Sequence, residues 1–279
     1  MKPKRAERRP WEMFFVGLFY ASISLLLVTG VFAKDTVLKD ASGILVVLFT
    51  VICCLPFVYY IIKLEEGKDI EISDSGKLIK EHSKALSALM WLFLGFVVAL
   101  AFWHIVMPDS SAQAFNFQIK TFCAINSPSM YDQCLAQHGL SLATGSATGA
   151  SSVISIFSNN IYVLIFTILF SLAFGAGAMF ILVWNASVIA AAIGIFAQNS
   201  LSNLPAALFR YMIHGVPEIG AYFIGALAGG IVSVAIIRKD LQGESLWRIM
   251  QDAVLMLIIA IVVLIVAALM EVYLTPIFF

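Results

Sequence analysis

His214 and Glu218 are the side chains whose types and spacing could do chemistry, because they lie four residues apart in HGVPE beside a long apolar run. On one helix they would share a face, where an imidazole and a carboxylate could bind a metal ion or act as acid and base. Pro217 lies between them, and proline is favoured in the first turn of a helix rather than its interior. We therefore expect one helix to end at Gly215 and another to begin at Pro217. Glu218 would then lie at the positive end of the second helix dipole.

A zinc site at His214 and Glu218 would need a third ligand, and none of definite position accompanies them. The chain also has no phosphate-binding or dinucleotide-binding glycine motif and no basic surface typical of nucleic-acid binding. We therefore predict that the protein is not an enzyme. We expect no catalytic residues, no metal, no cofactor and no nucleic-acid partner.

The elements that must position these side chains are membrane spans. Of the 279 residues, 61% are hydrophobic and 12% are charged, whereas about half and about a quarter are usual in soluble domains. Several apolar runs reach the ~20 residues that cross ~30 Å of hydrocarbon. This predicts an all-α, polytopic helical protein of the cell membrane, with the lipid bilayer as a partner. We expect seven spans, at residues 13–33, 42–62, 86–107, 160–175, 178–198, 217–237 and 253–270.

The distribution of Lys and Arg predicts the orientation of the spans, because basic residues are retained on the cytoplasmic side. Thirteen of the 17 precede the first span, follow the second or follow the sixth. The N-terminus is therefore expected inside and the C-terminus outside. The charged cytoplasmic segment at residues 63–84 is expected to be a solvated hairpin or helix rather than a docking site. His82 and His104 have no ligand-spaced neighbours and are expected to be structural or solvated.

The same orientation places residues 108–159 outside as one loop. This loop contains Cys123 and Cys134 in CAINSPSMYDQC, where a turn-forming NSP separates the two cysteines. Exported loops permit disulfides, so the spacing favours a local Cys123–Cys134 bond. A pair of free thiols is the alternative.

Residues 160–198 are only just long enough for two spans. One interpretation is two short helices joined at GAG, from Gly175 to Gly177. The other is one longer helix that breaks at Asn185 and is followed by a re-entrant segment, whose backbone would have to be buried in protein or line water. The placement of the charged loops favours two crossings.

Several polar residues that are distant in sequence fall at one outer boundary of these spans. One interpretation is a coincidence of span ends. The other is a cluster in which Arg210, His214, Glu218 and Glu271 pair with one another, as structural glue or as a binding site. The full polar outer-layer cluster comprises Asn159, Asn160, Arg210, His214, Glu218, Glu271 and Thr275.

The segment GALAGG places small residues one helical turn apart, which lets helix backbones approach closely. We favour packing within the chain, with a homodimer seam as the alternative. The expected hinge and packing residues are Gly175, Gly177, Asn185, Gly215, Pro217, Gly225 and Gly229.

Three segments in order make residues 86–279 resemble the stage II sporulation protein M family: NNIYVLIFTILFSLAFGAGAMFILVWN, HGVPEIGAYFIGALAGG and LMEVYLTP. They match an Asn pair at the head of a span, a glycine-broken pair of spans, His-Gly-x-x-Glu before a glycine-rich span, and Glu-x-x-x-Thr-Pro after the last span. Asn185-Ala186 stands where the family usually has Asn-Gly. Residues 1–85 form an N-terminal extension with two spans.

The resemblance implies a non-enzymatic scaffold or partner-binding component of an envelope-associated complex, whose partners are other membrane or envelope proteins. Sporulation members of the family work with a membrane-anchored peptidoglycan hydrolase and its partner. Other members occur in organisms that neither sporulate nor build peptidoglycan. The alternative function is a transporter or channel component, because glycine-broken spans with polar residues are typical of transporters.

Overall fold

The computed structural model describes residues 3–32, 35, 38–72, 74–107, 113–126, 130–137, 153–174, 176–199, 204–237 and 244–278. These residues form helices joined by short turns, and no strand occurs among them. A π-helix at Met270–Leu274 separates the last two helices. In chain order the helices are α1 (Pro3–Arg8), α2 (Glu12–Val31), α3 (Ser42–Glu71), α4 (Ser75–Val106), α5 (Asn116–Asn126), α6 (Tyr131–Gln137), α7 (Val153–Phe174), α8 (Met179–Asn199), α9 (Leu204–Ile237), α10 (Glu244–Leu269) and α11 (Thr275–Phe278).

Seven of these helices, α2 to α4 and α7 to α10, are long and apolar enough to cross a membrane. The prediction of an all-α polytopic membrane protein is confirmed. The short helices mark the two ends of the bundle. At one end α1 packs against α3 and α4, and we call this end the N-terminal face. At the other end α5 packs against α3 and α8, and we call it the disulfide face.

Helices α3 and α4 are longer than a membrane requires. They have 30 and 32 residues, which is roughly 45 Å or more at 1.5 Å per residue, whereas the hydrocarbon core is ~30 Å thick. Their apolar parts are residues 42–62 and 86–106. The end of α3 from Lys63 and the start of α4 up to Lys84 are rich in charge and extend beyond the apolar parts on the N-terminal face.

Residues 153–199 form two spans, α7 and α8, as the two-crossing interpretation predicted. A 3-10 turn at Ala176–Ala178, which contains Gly177, connects them. Gly175 lies outside the described residues. Asn185 lies inside α8, where its Nδ2 atom donates to the carbonyl oxygen of Ile181 at 2.8 Å. The alternative of a helix break at Asn185 is therefore wrong.

Helix α9 continues through both Gly215 and Pro217, so the expected helix boundary between them is wrong. Pro217 has no N–H for the carbonyl of Ile213, which removes one hydrogen bond from a helix of 34 residues. Burial outweighs this loss, because 83% of the apolar window of α9 is buried against its neighbours and membrane helices tolerate internal proline. Glu218 consequently lies inside a helix and not in a first turn.

Helix backbones meet closely at two glycine seams. At the first, Gly17 of α2 faces Gly95 of α4, and a Cβ atom on Gly17 would lie 3.2 Å from the Cα atom of Gly95. At the second, Gly225 and Gly229 of α9 face α7, where a Cβ on Gly229 would lie 2.9 Å from the Cβ of Ser171. The glycines of GALAGG therefore pack within the chain.

Candidate functional site

Near the disulfide face, α9 and α11 bring His214 and Thr275 together. The Nδ1 atom of His214 lies 3.3 Å from the Thr275 hydroxyl oxygen. That hydroxyl donates to the carbonyl oxygen of Met270 at 3.2 Å, so it can accept from the imidazole. Pro276 has no N–H for the carbonyl four residues earlier, and the chain forms the wider π-turn just before it. The contact joins the central helix to a distorted helix end, a feature that is frequent at functional sites.

Glu218 finds its partner on its own helix. The hydroxyl of Tyr222 donates to Oε1 of Glu218 at 2.7 Å, and Tyr222 is fully buried. Glu271 lies close enough to interact electrostatically with Glu218, and two carboxylates repel each other. Among the described side chains, the Glu218 carboxylate thus has a neutral phenol as its hydrogen-bond partner, and not the basic residue that the sequence suggested.

The remaining members of the polar outer-layer cluster are placed as follows. The backbone of Arg210 lies in α9, but its side chain lies outside the described residues. Asn159 and Asn160 lie two turns inside α7, where Asn159 is exposed and Asn160 is buried. Neither amide is hydrogen-bonded to His214 or Glu218 among the described side chains. The structure therefore brings together part of the expected cluster.

The N-terminal face holds a cluster that the sequence did not reveal. Glu65 and Asp69, one turn apart on α3, are 0% and 1% exposed. His82 of α4 lies between them, with Nδ1 at 2.7 Å from Glu65 and Nε2 at 3.5 Å from Asp69. Nδ1 is within hydrogen-bond distance of the Glu65 carboxylate and Nε2 faces the Asp69 carboxylate at ion-pair distance, so negative charge on both sides favours the imidazolium. We therefore assign a positive charge to His82. The expectation of a solvated segment at residues 63–84 is wrong for this cluster.

Lys68 connects the cluster to the N-terminal helix. Its Nζ atom lies 2.7 Å from a carboxylate oxygen of Glu65 and 2.9 Å from one of Glu7. Burial and the neighbouring Glu65 carboxylate raise the pKa of Glu7 to about 7, against the opposing influence of Lys68. The charge of Glu7 therefore changes near neutral pH. We call Glu7, Glu65, Lys68, Asp69 and His82 the buried ionic cluster.

Two spacing signals could have found the residues that sequence reasoning missed. Glu218 and Tyr222 are four apart in EIGAY, and Glu65 and Asp69 are four apart in EEGKD. Side chains at this spacing share a helix face. For Glu65 and Asp69 that face continues the buried side of α3, which includes Ile61 and Ile62. A carboxylate in phase with buried apolar residues predicts a buried ion pair.

The predicted disulfide is present and links two helices at the disulfide face. Cys123 of α5 is bonded to Cys134 of α6, with 5.8 Å between their Cα atoms. Both cysteines are buried, and Phe122 beside Cys123 packs edge-on against Phe196 of α8 at 6.2 Å. We call α5 and α6 the disulfide platform.

Buried amide side chains fasten the disulfide platform to the bundle. The Nε2 atom of Gln118 donates to the carbonyl oxygen of Gly43 at 3.0 Å and to the Ser187 hydroxyl at 3.1 Å. Asn116 donates to the carbonyl oxygen of Asp40 at 2.7 Å. Gln118 is completely buried, so these bonds are shielded from water. The platform is thereby held against the start of α3 and the middle of α8.

The chemistry that these sites offer is charge pairing and hydrogen bonding. Within the described part of the chain, no group of three or more His, Cys, Asp or Glu is arranged to hold a metal ion. His82 lies between two carboxylates, and the Nδ1 atom of His214 lies beside the Thr275 hydroxyl.

Comparison with known proteins gives one family and one distant relative. The family described as Stage II sporulation protein M matches residues 87–276 of the chain. An uncharacterized protein of Methanocaldococcus jannaschii is 32% identical over 131 residues, which cover 44% of this chain and 70% of the relative. No solved structure matches the chain. The family match includes α5 to α10, and hence the disulfide platform, His214 and Glu218.

Proposed function

Because this chain belongs to the stage II sporulation protein M family, we propose that it is a non-enzymatic, multi-pass protein of the cell membrane. In this proposal it acts as a scaffold or partner-binding component of an envelope-associated complex. The observation that supports the proposal best is the disulfide platform. A scaffold needs a surface whose shape persists without a partner, because ordering a loose segment on binding costs free energy.

The disulfide platform offers such a surface. The Cys123–Cys134 bond joins its two helices, and the Gln118 and Asn116 amides hold it to the bundle. Met130, immediately before α6, is 56% exposed, and methionine suits adaptable protein contacts. Asp132 and Gln133 beside it are exposed and polar. A partner would therefore meet one exposed apolar side chain beside polar ones.

We further propose that the disulfide platform lies outside the cytoplasm. Disulfides persist in oxidising compartments, and the N-terminal face carries most of the basic residues, which are retained in the cytoplasm. In intact cells, a membrane-impermeant thiol reagent should label a cysteine introduced in place of Ala136, which is exposed on the disulfide platform. A cysteine introduced in place of Lys80, on the N-terminal face, should stay unlabelled until the membrane is permeabilised.

Photo-crosslinking in native membranes tests the scaffold role. A photoreactive residue replacing Met130 should give discrete crosslinked proteins that mass spectrometry identifies as envelope components. The matched control is the same residue in place of Ile258 of α10, which is 53% exposed on the apolar exterior and should crosslink mainly to lipid. The proposal fails if the two positions give the same products.

Transport is the competing function, and it has a separate readout. Purified protein in liposomes should show no specific flux of a panel of ions and small solutes. Flux that depends on Glu218, together with failure of the Met130 crosslink, would replace the scaffold with a transporter or channel component.

A further inference from the structure

Two adjoining depressions lie at the N-terminal face, one on the exposed side of α1 and one between α1 and the ends of α3 and α4. The larger cavity, about 580 Å³, is lined by four basic residues, Lys4, Arg5, Arg8 and Arg9. The smaller, about 310 Å³, is also lined by Lys4 and Arg8 and extends to the ends of α3 and α4. We call the two cavities together the basic groove. Lys4 and Arg8 are the residues common to both.

The basic groove has an excess of positive charge. In the larger cavity, Glu12 is the carboxylate that pairs with the cations, at 2.8 Å from Arg5 and 3.4 Å from Arg9. One carboxylate shared by two guanidinium groups leaves one positive charge uncompensated. Lys4 and Arg8 add two more, and neither forms an ion pair with any residue that the structure describes. The groove is thus suited to an anion.

The cations are presented by a helix that is held in place. Ala6, between them on α1, is fully buried. Glu7 on the same helix is paired with Lys68 of α3 at 2.9 Å. On the other side, Arg5 makes two hydrogen bonds to Glu12, at 2.8 and 3.1 Å. The helix that carries the cations is therefore held in place before a ligand arrives, which lowers the entropic cost of binding.

The basic groove also lies beside the start of the first span, where lipid headgroups are expected. The first span begins at α2, directly after the turn that follows α1. Trp11 in that turn is 52% exposed, and Phe15 one turn later is 58% exposed. Tryptophan is enriched at the boundary between hydrocarbon and water. A charged ligand in the groove would thus lie beside the ends of the acyl chains.

We propose that the basic groove binds the headgroup of an anionic phospholipid, with the phosphate held by Arg8 and Lys4. The planar guanidinium matches phosphate oxygens in pairs, and a lysine ammonium adds a point charge. The acyl chains would follow the exposed apolar side chains of α2 into the bilayer. This binding does not depend on the scaffold role proposed above.

Native mass spectrometry of the full-length protein in detergent tests the proposal. Titration with phosphatidylglycerol should give clearly tighter binding than titration with phosphatidylcholine. Each basic residue at an anionic surface contributes about a fivefold factor. The Lys4→Ala/Arg8→Ala variant should therefore bind phosphatidylglycerol roughly thirtyfold more weakly, and Arg8→Gln alone roughly fivefold more weakly. Both side chains are exposed, so thermal unfolding should match that of the unchanged protein.

The matched control is Lys77→Ala/Lys80→Ala. It removes the same charge from the same face, at exposed residues that do not line the groove. This variant should keep its affinity for phosphatidylglycerol. An equal loss of affinity for phosphatidylglycerol in both double variants would indicate diffuse electrostatic attraction and would overturn the proposed site. Equal binding of phosphatidylglycerol and phosphatidylcholine would also overturn it. Inorganic phosphate should not displace the lipid, and displacement at equal concentration would indicate a free-phosphate site instead.

Discussion

The ammonium group of Lys68 lies 2.9 Å from the carboxylate of Glu7, although 61 positions separate the two residues in the chain. The pair joins the N-terminal helix to the far end of α3, beyond the apolar part of the bundle. Lys68 also contacts Glu65 at 2.7 Å, so one cation serves two buried carboxylates. The electrostatic balance at this point therefore depends on whether Glu7 is charged.

As pH rises from 5 to 8, the free energy of unfolding should fall less in the Glu7→Gln variant than in the wild type. The pKa of Glu7 is raised from 4.5 to about 7 by burial first and by Glu65 second. A raised pKa means that the folded state holds the proton more tightly, so this contribution is complete below about pH 4.5 and is lost as pH rises through 7. Glutamine does not titrate.

Thermal unfolding in detergent at a series of pH values measures the effect. Wild type should lose on the order of 1 kcal/mol more than Glu7→Gln over this range, after allowance for solvent screening at the edge of the bundle. The charged groups around Glu7 are Lys68 and Glu65, with Lys4, Arg8, Glu81 and Lys84 around the adjoining cavity. Parallel curves for the two proteins would contradict the raised pKa.

His82→Phe should destabilise the protein by about 3–5 kcal/mol, because it leaves Glu65 and Asp69 buried without the cation between them. Lys84→Ala is the control, since Lys84 pairs with Glu81 at the surface and exposed pairs contribute about 1 kcal/mol or less. Chemical unfolding in mixed detergent compares them. Similar small losses in the two variants would show that His82 is not the buried counter-ion.

Gly17→Ala should cost about 1–3 kcal/mol, because the new Cβ would collide with the backbone carbonyl of Leu92 in α4 and would also crowd the Cα atom of Gly95. Gly30→Ala in the same helix is the control, since nothing lies within 4 Å of a Cβ there. It should be neutral or stabilising by up to about 1 kcal/mol. Both variants make the same Gly→Ala change within one helix. The difference between their free energies of unfolding therefore measures the cost of the close contact between α2 and α4. Equal unfolding temperatures would mean that α2 and α4 do not approach so closely.

Glu218→Gln and Tyr222→Phe should show coupled rather than additive losses. Tyr222→Phe removes a hydrogen bond to a carboxylate at 2.7 Å, which is worth about 1.5–3 kcal/mol. Once Glu218 is neutral, the same tyrosine change should cost less, by about 0.5 kcal/mol or more. Thermal unfolding of both single variants and the double variant gives the coupling. Adding Arg210→Met to the series tests the expectation that Arg210 also pairs with Glu218.

Periodicity and charge were sufficient to predict the spans, because apolar length is the main requirement of a membrane helix. The disulfide followed from two cysteines in one loop between spans. The helix break before Glu218 was predicted from the local preference of Pro217, and it was wrong because α9 is the most buried helix of the bundle. Tertiary burial is not visible in a local window, and in this helix it overrode the preference of one residue.

The buried ionic cluster was harder to predict for a related reason. His82 and Asp69 lie on different helices, and their contact depends on how α3 and α4 cross beyond the apolar region. A run of mixed charges such as EEGKDIE is compatible with a solvated surface or with a buried network. Which of the two arrangements forms depends on how α3 and α4 are rotated relative to each other, and a single sequence does not specify that rotation. The Glu218–Tyr222 pair was local, and attention to spacing could have found it.

The Gly17–Gly95 seam crosses the boundary at which the family match begins, at residue 87. Gly95 belongs to the shared part of the chain, whereas Gly17 belongs to the part that precedes it. A protein that consisted of residues 87–276 alone would lack α2. The backbone at Gly95 would then line a groove that lipid tails fill poorly. A relative that lacks α2 must therefore close this groove with a larger residue at the position of Gly95 or recruit a helix from another polypeptide. We expect α2 and a glycine at the position of Gly95 to occur together among relatives.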